Sequence, residues 1–236
     1  PIFGQLDIPL KDGSQFQFMA DLAVEILVNL FNLGEQAQYS FFVYNGFFAI
    51  AHLLQNSDNS NITFNLYMRY FNLLVTITYK NLQMQLIDAI LMNFDLWSKS
   101  EIKHQVRILK HWSRTVYIPF KYMIDLIRPL EWFLFAINRY YEFPNSEEKI
   151  HYDCRKSLFE IAYESFKTNF STSHTSIIMG FICARESSML ERKEMTNFLT
   201  TLLRNKEVII NANIRVSQII PFIFTVLNGP DKDDDL

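Results

Sequence analysis

Apolar positions recur at helical spacing along almost the whole chain. Leu22, Ile26, Leu30 and Leu33 step by four, four and three residues, and Gly34 stands where such a helix ends. A short helix over Glu35 to Tyr44 is broken by Asn45-Gly46, and Phe47, Ile50, Ala51 and Leu54 restart the pattern. The polar run Asn56 to Asn61 reads as a loop whose last Asn caps the next helix, which carries Ile62, Leu66, Tyr70, Leu73, Leu74 and Ile77 on one stripe. After Asn81 a further helix places Leu82, Leu86, Ala89, Ile90, Phe94 and Trp97 together. Period-two alternation never persists, so the pattern supports no strands.

Beyond Trp97 the pattern predicts a helix over Lys99 to Tyr117, and Pro119 and Pro129 each suit the first turn of a new one. Glu142 to Lys149, with Pro144-Asn145-Ser146, is the longest linker. Helices follow near Ile150–Asn169, Thr175–Ala184, Ser188–Arg204 and Arg215–Leu227. One helical domain is expected in two parts, 1–143 and 144–228, with an acidic tail or linker over 229–236. Some ten helices joined by short loops suit an α-solenoid or a globular bundle. The run Asn45 to Leu54 has the form of an armadillo helix start, with Gly46 letting two helices meet closely and Leu53 and Leu54 entering the core. No strict repeat of about 40 residues is visible, so a solenoid here would be irregular.

Composition agrees with an all-α reading. Only 6 Gly and 7 Pro occur in 236 residues, too few turn formers for a sandwich or barrel, while a hydrophobic content of 49% supplies ample core. The net charge of −3 argues against a nucleic-acid binder. Two cysteines, Cys154 and Cys183, make no disulfide framework and favour a reducing, cytoplasmic compartment. No apolar run reaches the ~20 residues of a membrane span. The chain begins at Pro1 rather than Met, so it is expected to be an excerpt of a longer protein.

The chain contains no dinucleotide, phosphate-loop, zincin or nucleophile-elbow motif. His104 and His111 lie two turns apart, too far to share a metal unaided, and His151 with Cys154 supplies two ligands where zinc wants three or four. Cys183 sits in the apolar run Phe181-Ile182-Cys183-Ala184 and reads as a buried structural thiol. Single carboxylates such as Asp88, Asp95, Asp125 and Glu131 form no acid–base pair in the sequence. Catalytic residues, metal and cofactor are therefore all expected to be absent.

The one segment with a physical direction is basic. At about 100° per residue, Lys99, Lys103, Arg107, Lys110 and Arg114 fall within about 80° of one another. Ile102, Val106, Leu109, Trp112 and Val116 take the opposite side, with Gln105 intruding. Five cations against the single acid Glu101 make this stretch +4. Such a ridge suits an acidic segment of a protein partner or an anionic membrane surface, and is equally the solvated face of an amphipathic helix.

Three stretches resemble the helical region that precedes the PH–BEACH–WD40 end of very large BEACH-domain proteins, among them neurobeachin, the lysosomal trafficking regulator and Alfy. They are Tyr44 to Leu54, Ile90 to Trp97 with Gln105-Val106-Arg107 after it, and Leu126-Ile127-Arg128 followed by Arg139-Tyr140-Tyr141. Ile177 to Ile182 and Asn197 to Leu203 echo later helices of that region. The stretch before the paired tyrosines is poorer in Lys and Arg than in the family, and Pro129 interrupts it. The resemblance implies an irregular armadillo-like α-solenoid acting as a non-catalytic scaffold in vesicle, lysosome or autophagy-related traffic. Its expected contacts are neighbouring domains of the parent protein and a protein partner, in the cytoplasm or at the periphery of endomembranes. Trp97 is expected to anchor the packing of two helix pairs, as Gly46, Leu53 and Leu54 are to shape the core.

Overall fold

The structure, a computed structural model, describes residues 13–116, 129–141, 149–167, 170–183 and 189–212, together with Phe120, Met123, Ile124 and Ile127. All described elements are helical: α1 (Gly13–Asn32), α2 (Glu35–Val43), α3 (Gly46–Gln55), α4 (Phe64–Thr76), α5 (Lys80–Leu86), α6 (Phe94–Trp97) and α7 (Ile102–His111), then α8 (Leu130–Tyr141), α9 (Lys149–Phe166), α10 (Thr172–Cys183), α11 (Met189–Arg204) and α12 (Lys206–Ala212). Of the expected linker Glu142 to Lys149, Lys149 opens α9 and the rest lies outside the described residues, as do the expected helix over Arg215–Leu227 and the tail.

Local chemistry sets the boundaries. Gly34 has φ of 117°, a conformation that side chains resist, and its N–H closes on the Phe31 carbonyl at 3.2 Å to end α1. Asn45 takes the left-handed conformation at φ 53° between α2 and α3. Gly46 then lies so close to α2 that a Cβ would stand 2.3 Å from the Phe41 ring. The cap of α4 is Thr63, whose Oγ1 accepts from Leu66 N–H at 3.3 Å. Asn61, expected in that role, is buried in a 3₁₀ turn instead. Likewise α7 begins at Ile102, because Ser98 to Glu101 form the turn after α6, so Lys99 precedes the helix. α12 continues after Asn205, where the sequence pattern predicts no helix.

By its internal packing the chain divides into two compact units. The first holds residues 1–128 and 135–158. In it α1 packs on α4 and α4 on α7, α2 on α5, and α3 on α6 and on the π-turn Ile87–Leu91. α1, α2, α3 and α4 thus each meet the helix three elements later, as in a three-helix repeat.

Five of the long-range polar contacts carry the same period. Gln38 and Thr78 are separated by 40 residues, Gln85 and Phe42 by 43, Lys99 and Gln55 by 44, Lys110 and Asp153 by 43, and Tyr140 and Asp95 by 45. The stack therefore has a register of about 40 residues, the range of armadillo repeats, although no repeat is legible in the letters. Its core includes Phe31, Phe47, Leu66, Tyr67, Leu86, Trp97, Leu109 and Trp112.

The second unit holds 129–134 and 159–236. There α10 packs on α11 and α11 on α12. Phe133 meets Phe166 edge-on at 6.2 Å, and Phe159 lies 5.4 Å from Phe198. Leu130, Ile161, Ile178, Leu199 and Leu202 complete its apolar interior.

Candidate interaction surface

Buried amides hold the corners of the first unit. Gln38 is 2% exposed, and its Oε1 accepts from Thr78 N–H at 3.0 Å and Tyr79 N–H at 2.8 Å while Nε2 donates to the Phe31 carbonyl at 3.2 Å. Gln85 donates to the Phe42 carbonyl and to Asn45 Oδ1, each at 3.2 Å. Gln105, the residue that intrudes on the apolar stripe of α7, donates to the Ser98 and Ser100 carbonyls at 3.1 and 2.7 Å. Backbone groups at helix ends have no intrahelical partner, and these side chains supply one without water. The two indoles act alike: Trp97 Nε1 donates to the Ile90 carbonyl at 2.6 Å and Trp112 Nε1 to that of Leu91 at 3.1 Å. Both acceptors lie on the π-turn, where the helical ladder is out of step.

This framework positions α7 with its apolar stripe inward and its polar face outward. Lys103, Arg107 and Arg114 are exposed and Lys110 is half-buried. Their surroundings differ. Lys99, also exposed, donates from Nζ to the Gln55 carbonyl at the end of α3. Lys103 pairs with Glu101, and Lys110 reaches Asp153 on α9 at 2.9 Å. Arg107 stands over the Phe64 ring of α4, 4.1 Å from its centroid. Arg114 lies in the π-helical turn that follows α7, with no carboxylate partner among the described residues. Asp95 engages Arg139 at 3.6 Å and the Tyr140 hydroxyl, away from the stripe, and Asp125 lies outside the described residues.

The aromatic seam between α4 and α7 extends under these cations. Phe64 stacks on Tyr67 at 5.9 Å, and His111 sits edge-on to Phe71 at 4.6 Å with Nδ1 3.1 Å from the Tyr67 hydroxyl. Burial holds the His111 pKa below its ordinary value. His104 is lowered too, by burial first and then by Lys103, with Arg107 adding to the effect. Both histidines therefore stay neutral near pH 7 and add no charge to the stripe. Among the described residues no group of His, Cys, Asp and Glu is arranged to hold a metal. No helix among them is long and apolar enough to cross a membrane.

Of the expected structural residues, Trp97 and Leu54 are buried, and Gly46 makes the tight approach just described. Leu53 is only half-buried. The buried stripe of α3 is Phe47, Ile50, Ala51 and Leu54, and Leu53 falls off it by helical geometry. Phe64 and the stapling glutamines were not singled out by the sequence. The intrusion of Gln105 into an apolar stripe was the one visible sign of them.

The repeat register and helical columns define an α-solenoid. Residues 1–226 match the family described as the Neurobeachin/BDCP, DUF4704 alpha solenoid region, and the chain belongs to that family. No curated protein and no solved structure matches the chain.

Proposed function

We propose that this solenoid is a non-catalytic scaffold segment of a BEACH-type protein in vesicle, lysosome or autophagy-related membrane traffic. It works in the cytoplasm or at the periphery of endomembranes, beside neighbouring domains of its parent protein, and binds an acidic segment of a protein partner. One observation carries this reading: α7 and the π-helical turn after it present exposed cations, of which Arg107 and Arg114 have no carboxylate partner among the described residues. A rigid stacked framework beneath them suits an extended ligand.

The test measures anisotropy of a fluorescein-labelled poly-glutamate peptide, with co-sedimentation on neutral and phosphatidylserine vesicles alongside. Peptide binding should weaken steeply with salt, because the Debye length falls to ~8 Å at physiological ionic strength. It should disappear in Arg107→Glu/Arg114→Glu. Binding indifferent to both salt and charge reversal defeats the proposal. Sedimentation with anionic vesicles alone would favour a peripheral membrane module, the reading supported by the same cations.

A further inference from the structure

We infer that Arg107, held over the Phe64 ring, is the carboxylate-recognising anchor of this surface, and that Lys99, Lys103 and Lys110 serve the fold instead. The inference rests on the acidic-partner reading and assigns the work within it. Three of the five cations already have partners that answer for their placement. Lys103 is cancelled by Glu101, and Lys110 by Asp153. Lys99 joins the turn before α7 to the last carbonyl of α3, where the negative end of a helix dipole favours a cation.

Arg107 is different in kind. Its guanidinium carbon lies 4.1 Å from the Phe64 centroid, a cation–π contact that holds the group over the ring while the side chain stays exposed to a ligand. Phe64 is itself braced by stacking on the buried Tyr67. A guanidinium so placed has lost most of its rotamer freedom before any partner arrives, and its fork matches the two oxygens of a carboxylate. A lysine at the same site would offer equal charge without the fork or the stack.

Arg114 follows seven residues later, about 10 Å along a helix. In a polyproline II segment, an extended form with three residues per turn, side chains three residues apart share a face and stand about 9 Å apart. The chemistry therefore fits an extended segment with acidic residues at that spacing. Its first carboxylate pairs with Arg107 and its second lies near Arg114.

The experiment uses the full chain and the same labelled poly-glutamate peptide, comparing wild type with Arg107→Lys, Phe64→Leu, Lys103→Ala and Lys99→Ala. Circular dichroism checks that each variant is folded. Arg107→Lys should weaken binding about tenfold although net charge is unchanged, and Phe64→Leu by a similar factor. Lys103→Ala should change it less than about twofold. If wild type binds and Arg107→Lys binds equally well, the anchor is refuted while the acidic-partner reading stands. Equal losses for Lys103→Ala and Arg107→Lys would do the same. A wild type that ignores the peptide but sediments with phosphatidylserine vesicles overturns both readings.

Discussion

Replacing each buried indole by phenylalanine should separate two carbonyls that look alike in sequence. Trp97 and Trp112 are both 1% exposed, and each donates its N–H to a neighbouring carbonyl of the Ile87–Leu91 π-turn. Phenylalanine keeps an apolar ring in each site, so the two substitutions leave cavities of similar size. They differ in what the acceptor retains. The Ile90 carbonyl still accepts from Asn93 N–H at 3.2 Å, whereas the indole of Trp112 is the one donor to the Leu91 carbonyl among the described residues. A buried acceptor left unsatisfied costs about 1–3 kcal/mol. Trp112→Phe should therefore exceed Trp97→Phe by about 1–2 kcal/mol. For a chain of this size each kcal/mol moves Tm by about 2–4 °C. Thermal unfolding followed by circular dichroism reads the difference directly, with Trp97→Ala as a reference expected to lose about 3–5 kcal/mol. Equal losses in the two phenylalanine variants, or a larger loss at Trp97, would refute the argument from the second donor.

Further outcomes follow from other sites. Gly46→Ala should destabilise by about 1–3 kcal/mol, because its Cβ overlaps a Phe41 ring that also packs on Phe31 and Phe47. Combining it with Phe41→Ala should cost less than the sum, and strict additivity in urea denaturation would exclude the clash. His174 accepts the Ser171 N–H on Nδ1 at 3.0 Å, closing the start of α10, and burial lowers its pKa from 6.5 against the pull of Glu131. Its contribution is present above pH 6.5 and is lost as pH falls through the folded pKa, so the Tm drop between pH 7.5 and 5.5 should shrink in His174→Gln; an unchanged drop contradicts this. Burial pushes the Cys154 thiol up to about 12, so iodoacetamide at pH 8 should modify it only on unfolding. Labelling of Cys154 in the folded chain, read by peptide mass spectrometry, would contradict its placement.

The helices themselves were legible because their signal is local. Residues three and four apart share a face whatever lies opposite, so Leu66, Tyr70, Leu73, Leu74 and Ile77 declared the stripe of α4 in advance, and all five are buried. The wheel also placed the cations of α7 on one side. It misread Lys99, which lies in the turn before the helix, and Leu53, which lies off the buried stripe of α3. The first error arises at a helix start, where capping and turn geometry displace the periodic pattern by a few residues. The second comes from the paired leucines of the armadillo-like run, of which helical geometry turns only Leu54 inward.

What the sequence by itself determined is the all-helical class, the inward faces of α3 and α4, and the absence of a recognisable catalytic motif. In α1 the stripe of Leu22, Ile26 and Leu33 is exposed, and Ala20, Val24, Leu27 and Phe31 face inward. Tertiary structure alone decided which cation pairs with which acid and which ring supports Arg107. Lys110 meets Asp153 across 43 residues, and Tyr67 meets His111 across 44. Those separations are one turn of the stack, and they arise when whole helices dock on their counterparts. Nothing at the level of neighbouring residues encodes them. The same docking made Gln38, Gln85 and Gln105 into corner staples, because a polar side chain on a helix gains a structural role only when packing removes water from the backbone ends it can reach.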